Sequence, residues 1–268
     1  MFRTRGCLWV AWLVAGCSRA APPAPPAAAA WSPVTVDSRF LPDVTLPPRA
    51  TVPPPGGSYA LRFQLGQRVE HHFRLEQRVV DNRRPAPEPV RVEALLALRG
   101  SGDGRARVSL EGIQTFVPEN PRPLDVPPAE LAVLTEDGPS GPPSSQTVLV
   151  QVLFPLPQSP LRVGEAEVVP VRLPVSGAAV ATGSQHIRLE RLVRDGPRTL
   201  AELHVELRVD APTARLTGRG VYAFDVEKRA FVDGAAAFLL ETGDPDAGVP
   251  RVSHDNFFRY RELTATAP

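Results

Sequence analysis

Ala201-Glu202-Leu203-His204-Val205-Glu206-Leu207-Arg208-Val209 alternates apolar and polar residues without a break. A period of two sends successive side chains to opposite faces of an extended chain, so this stretch is a strand with one face packed and one face wet. Upstream, Ile187, Leu189 and Val193 lead into Asp195-Gly196-Pro197, and the two runs together predict a β-hairpin.

The same unit recurs on either side. Tyr59, Leu61, Phe63 and Leu65 share one face and Ala60, Arg62 and Gln64 the other, which predicts a strand from Ser58. After Gly66-Gln67 the alternation returns, with Val69, His71, Phe73, Leu75 and Val79 facing away from Glu70, His72, Arg74, Glu76 and Arg78. Val90 to Leu98 turns through Arg99 to Gly104 and comes back through Ala106, Val108 and Leu110, with Gly112 marking a bulge before Ile113 and Phe116. Val221–Val226 and Ala230–Glu241 flank Glu227-Lys228-Arg229 as another hairpin, and Arg251–Thr264 reads as a closing strand. One-sided alternation is the pattern of antiparallel sheets. The fold class is therefore all-β with minor helix, its hairpins forming a curved sheet, a half-barrel or a sandwich. The helical signal is a turn or two over Pro127–Leu134, where proline stands at the start. Residues 118–146 carry eight prolines and read as a structureless loop, either a boundary between lobes or a lid over one end of the sheet.

The N-terminal 57 residues are different in kind. Arg3 and Arg5 precede an apolar run from about Cys7 to Ala15, the layout of a secretory signal and about half the roughly 20 apolar residues that a spanning helix needs. Residues 17–57 follow as an alanine- and proline-rich disordered tether, extended at about 3.1 Å per residue, and 58–268 form the β-rich domain. Leu13-Val14-Ala15-Gly16-Cys17 resembles the lipobox of bacterial lipoproteins. The resemblance implies cleavage of residues 1–16 and a diacylglycerol on the thiol of Cys17, a lipid anchor in the cell envelope. The lipoprotein sorting rule implies that Ser18, not being aspartate, permits passage to the outer membrane, which is expected over the inner one.

Further on, Leu153-Phe154-Pro155-Leu156-Pro157, Pro160-Leu161-Arg162-Val163-Gly164-Glu165 and Gly220-Val221-Tyr222-Ala223-Phe224-Asp225 resemble motifs of a bacterial envelope lipoprotein family of unknown function. The chain departs from that pattern at Glu165-Ala166-Glu167. The family implies a secreted all-β domain and lends no activity. Physically, its prolines set the entry to a strand and Gly164 a turn.

Charge and chemistry narrow the function. Cleavage before Cys17 removes two arginines and no acid, leaving 28 basic against 29 acidic residues, a balance that gives no electrostatic case for nucleic acid. The other cysteine, Cys7, goes with the signal, so no disulfide or thiolate metal site is expected. His71 and His72 are adjacent in a strand and diverge; His71 on the apolar face reads as a core histidine. His186 and His204 fall on facing strands of one hairpin, His204 on its polar face. Ser253-His254-Asp255 holds the residue types of a catalytic triad side by side, a contiguity that separates them in a strand. Asp244-Pro245-Asp246-Ala247-Gly248 resembles a piece of a calcium loop without its bidentate glutamate and reads as a turn; Asp81-Asn82-Arg83-Arg84 reads as a polar hairpin tip. No catalytic, cofactor-binding or metal-binding residue is assigned, and Cys17 is the single site, for lipidation. The reading that results is a non-enzymatic binding or structural β-domain, tethered to the membrane and meeting an envelope protein, a polysaccharide or a lipid. A carrier or sensor of apolar ligands on the curved sheet is the alternative, and a secreted hydrolase the second alternative.

Overall fold

The computed structural model describes residues 44–65, 70–81, 88–120, 122–174, 180–244 and 249–263. Cys17, the signal stretch and the turns at Gly66-Gln67, Asn82–Arg84 and Pro245–Gly248 lie outside them.

The described residues form one antiparallel sheet of 13 strands: β1 (Ala50–Val52), β2 (Glu70–Asp81), β3 (Val90–Gly100), β4 (Arg105–Phe116), β5 (Leu124–Val126), β6 (Ala129–Thr135), β7 (Gly138–Ser140), β8 (Ala166–Pro174), β9 (Val180–Asp195), β10 (Arg198–Ala211), β11 (Ala214–Asp225), β12 (Ala230–Asp244) and β13 (Val249–Glu262). Their order is β1-β9-β10-β11-β12-β13-β2-β3-β4-β6-β7, with β8 also on β9 and β5 also on β4. The all-β curved sheet expected from the period-two runs is what forms, and its two ends do not pair with each other to close a barrel.

The hairpins fall where the alternation puts them. The β9–β10 turn consists of Gly196 and Pro197, with Gly196 at φ +58°. Gly112, at φ +53°, sits at the register shift where β3 meets β4, the bulge anticipated there.

Three stretches differ from expectation. Residues 118–146 are not a structureless loop, because β5, β6 and β7 all lie within them. The helical turn expected over Pro127–Leu134 is strand β6. Its Leu131 and Leu134 are both buried at a spacing of three because Leu131 is the extra residue of a bulge: Val108 pairs with Ala132 and Ser109 with Glu130. A bulge in a strand thus imitates the helical period. The stretch from Ser58 is extended, with Leu61, Phe63 and Leu65 buried as expected, but it joins no strand of the sheet. It is held by the Tyr59–Leu161 bridge and by Gln64 N donating to Arg229 O at 2.9 Å, and it lays Phe63 across the inner face.

The helix that does form, α1 (Ser145–Leu153), was not anticipated. Four of its residues, Thr147, Val148, Val150 and Val152, are β-branched and weak helix formers. A capping box starts it: Ser144 Oγ accepts from Thr147 N at 3.0 Å and Thr147 Oγ1 accepts from Ser144 N at 2.8 Å. Burial of Val148, Val150, Val152 and Leu153 sustains it. Its contacts are with β6 and β7 at one end of the sheet and with β8 at the other, so it fills the seam that strand pairing leaves open. Gln151 Nε2 donates to Pro170 O on β8 at 3.0 Å, and Pro170 and Pro174 deprive that edge of donors, which guards it against pairing with another chain.

At the other end of α1, two tyrosines reach up from the sheet. Tyr222 Oη donates to Val152 O at 2.6 Å and Tyr260 Oη to Leu153 O at 2.8 Å. Both rings are buried, which pushes both phenols well above their ordinary value and keeps them donors at any physiological pH. The rings lie over glycines: a Cβ at Gly220 would stand 2.5 Å from the Tyr222 ring, and one at Gly234 would stand 2.5 Å from Tyr260. Phe154, the C-cap, then packs against Phe63, Phe73, Phe231 and Tyr260 with ring centroids 5.5–5.7 Å apart. Replacing Tyr222 by Phe leaves a buried helix carbonyl without its donor and is expected to cost about 1–3 kcal/mol, read as a lower urea midpoint at unchanged slope. Gly234→Val is expected to cost more, because its side chain must displace both tyrosine rings.

Candidate functional site

Strand register turns the sheet's inner face into rows. One row runs Leu189-Leu203-Tyr222-Gly234-Tyr260-Leu75 and carries α1. The next runs Ile187-Val205-Gly220-Ala236-Phe258-Gln77-Val92-Thr115, and the one beyond it Gln185-Leu207-Gly218-Phe238-Asn256-Val79. From the aromatic row outward the face thus gains glycines and buried polar groups. A crevice of about 10 Å³ lies among Val152, Gln185, Leu207, Gly218, Gly220 and Phe238, room for about one water molecule. Gln185 is 1% exposed and its Oε1 has no hydrogen-bond partner, and Thr115 Oγ1 is likewise buried and unpartnered. Elsewhere the concave face is filled by its own side chains, α1 and the segment carrying Phe63.

The histidines separate as the strand geometry requires. His71 Nδ1 lies 3.3 Å from Glu262 Oε1, so the histidine expected in the core has a polar partner and is half-buried rather than fully buried. His72, on the opposite face, contacts Glu70 at 3.0 Å. His186 stands opposite Glu206 and His204 opposite Arg188, so the two share a face diagonally without facing each other. His204 contacts Glu202 at 3.3 Å, and Glu202 also meets Arg191 at 3.0 Å. Burial pushes the Glu202 carboxyl up, but hydrogen bonds from His204 and Arg191 outweigh it and hold the group below the usual carboxylate range. His254 and Asp255 are both buried on β13, where His254 pairs with Leu240 and Asp255 with Leu239, so they point to opposite faces of the sheet. Among the described residues, no three His, Cys, Asp or Glu side chains gather as a metal site.

The outer face holds what the sequence reading missed. Residues 44–52 belong by composition to the tether, yet they dock as a strap. Leu46 packs on the small outer cluster of Val193, Leu200, Ala223 and Val232, and β1 pairs with Leu192–Arg194 of β9. Arg49, its side chain 10% exposed, donates to Asp233 and lies 3.6 Å from Asp195. From there an ion network runs in both directions. Arg261 Nε donates to Asp233 Oδ1 at 3.1 Å, Arg198 meets Asp195 at 2.9 Å and Glu262 at 3.2 Å, and Glu262 meets His71. Burial raises the Glu262 carboxyl, while hydrogen bonding to His71 and the charges of His71, Lys228 and Arg198 lower it, with a net shift below its ordinary value near 4.5. No local signal marks Arg49, because its partners lie on strands nearly 150 and 184 residues away.

Compared with known proteins, the chain matches no protein-family profile and no curated protein.

Two outcomes follow from the network. Arg49→Met leaves Asp233, 4% exposed, with Arg261 alone, and an expected loss of about 3 kcal/mol shows as a lower denaturant midpoint. Glu262, with its folded value depressed, contributes stability that is full above pH 4.5 and is lost as pH falls through the lower folded value. Glu262→Gln is expected to flatten the acid limb of stability against pH, followed by thermal melts below pH 5.

Proposed function

We propose that this chain is a lipid-anchored lipoprotein of the bacterial cell envelope whose β-domain binds a partner and carries out no chemistry on it. The observation that carries the reading is how the sheet's two faces are used. The concave face is occupied by Phe63, Phe154, Phe231, Tyr222, Tyr260 and α1, while the outer face of β2–β4 and β13 presents exposed charged side chains beside the buried Val80, Ala97, Asp255 and Phe257. Such a domain offers partners a broad strand surface rather than a cleft. The order of Arg3, Arg5, the short apolar run and Leu13–Cys17 supports the anchor. Two or more acyl chains on Cys17 give stable attachment where one gives only marginal binding. Among the described residues no helix is long and apolar enough to cross a membrane.

A second reading, a carrier of apolar ligands, draws on the crevice beside Gln185, an apolar recess with one unsatisfied acceptor. At about 10 Å³ it would have to open to take an acyl chain. Uptake of a fluorescent fatty acyl probe, abolished by Gly218→Leu, would favour this reading over the first.

The anchor is tested by mass spectrometry and detergent partitioning of the native chain beside Cys17→Ala. The expected result is an acylated N-terminus at Cys17 that partitions into detergent, and a variant that is uncleaved or water-soluble. Identical N-termini and partitioning for the two would overturn it.

A further inference from the structure

Like charges placed directly opposite each other across antiparallel strands weaken the pairing. The outer face of β13, β2, β3 and β4 contains three such arginine pairs: Arg74 opposite Arg261, Arg78 opposite Arg91 and Arg99 opposite Arg107. Glutamates relieve part of the repulsion. Glu70 and Glu111 hold Arg99, Glu76 holds Arg78 at 2.9 Å, and Glu93 lies 3.6 Å from both Arg74 and Arg91. With Arg105 and Arg259 the described residues of this face include eight arginines against those four glutamates; Arg261 is also held by Asp233, Arg105 lies 3.8 Å from Asp103, and Arg259 stands opposite Glu76. Asp255, on the same face, is 2% exposed. Arg107 and Arg259 are exposed and make no ion pair among the described residues.

We infer that this arginine face binds the anionic phosphate headgroups of the membrane to which the chain is tethered, an inference that rests on the lipid-anchor reading. The guanidinium fork matches phosphate oxygens two at a time. Placement adds to charge. The strap docks through Arg49 on Asp233, which is directly opposite Arg261, so residues 44–52 lie on the same side of the sheet as the arginine rows. Twenty-six residues separate Cys17 from Val44, and at about 3.1 Å each they reach at most about 80 Å, which keeps the face within range of the bilayer. Tethering makes the encounter intramolecular, so weak headgroup contacts suffice to hold the domain flat on the surface.

The test is arginine footprinting of the full chain with phenylglyoxal, on vesicles of phosphatidylcholine and of phosphatidylglycerol, read by mass spectrometry. Arg107 and Arg259 are expected to be protected severalfold on phosphatidylglycerol over phosphatidylcholine, with the difference lost at high salt. Arg172, exposed on β8, should react equally on both. The double variant Arg107→Glu/Arg259→Glu should weaken association with phosphatidylglycerol at least about tenfold while its circular dichroism stays native. Equal reactivity of Arg107 and Arg259 on the two lipids overturns the inference, as does equal protection of Arg172, or protection by a soluble anionic polysaccharide without protection by phosphatidylglycerol. Retention on phosphatidylcholine reports the acyl anchor separately, so failure of the anchor and failure of the arginine face are told apart.

Discussion

The last two carbonyls of α1 point into the core, and two phenol hydroxyls answer them. A helix C-terminus buried among apolar side chains leaves acceptors that water cannot reach, and each unsatisfied one costs on the order of 1–3 kcal/mol. Tyr222 and Tyr260 are the donors, and their rings can lie flat enough to reach only because Gly220 and Gly234 sit beneath them. The glycines in turn loosen β11 and β12, a loss the overlying aromatic rings offset by packing. Phe154 is placed by the same arrangement and gathers Phe63, Phe73 and Phe231 around it. The seam between β6–β7 and β8 is filled because α1 is held at both of its ends.

That arrangement explains which parts of the fold are readable along the chain. Runs such as Ala201–Val209 declare themselves because their partners are the adjacent hairpin arms and one face meets water, so the period of two survives. Residues 145–153 do not, because valines at 148, 150 and 152 carry a strand's composition, and what makes them helical is a cap at Ser144–Thr147 and tyrosines about 70 and 107 residues downstream. Tertiary context overrides propensity there. In β6 the bulge at Leu131 breaks the period of two and substitutes a spacing of three. The stretch carrying Phe63 keeps its alternation and loses its strand partners, since alternation reports which side is buried and is silent on what forms the ladder.

The charged groups are legible to a different degree. Alternating Arg and Glu on β2 announce a solvated face, and the face is solvated. Which arginine meets which glutamate depends on register, and register is a property of pairs of strands. So the opposition of Arg78 to Arg91 is invisible until β2 and β3 are aligned. Arg49 is the extreme case. It stands between Pro48 and Val52 in a proline-rich stretch whose composition signals an unpacked tether, and its acidic partners become neighbours only when β9 and β12 come together beneath the strap.

A sheet this wide exposes two faces, and the chain treats them oppositely. On the concave side every large group is apolar or satisfied at close range, save a few polar atoms such as Gln185 Oε1 and Thr115 Oγ1. On the outer side a strip from Val193 to Val232 is covered by Leu46 and fastened by Arg49, while β2–β4 and β13 carry opposed arginines beside the buried Val80, Ala97, Asp255 and Phe257. Folding alone favours opposite charges across strands, and a glutamate at position 91 or 107 would relieve the repulsion at once. The sheet answers most of this charge itself, since Glu70, Glu76, Glu93 and Glu111 hold the arginines of β2 and β3, Arg91 lies 4.2 Å over the Phe116 ring and Arg261 meets Asp233, so among the described residues Arg107 and Arg259 are the arginines of this face left without an ion pair.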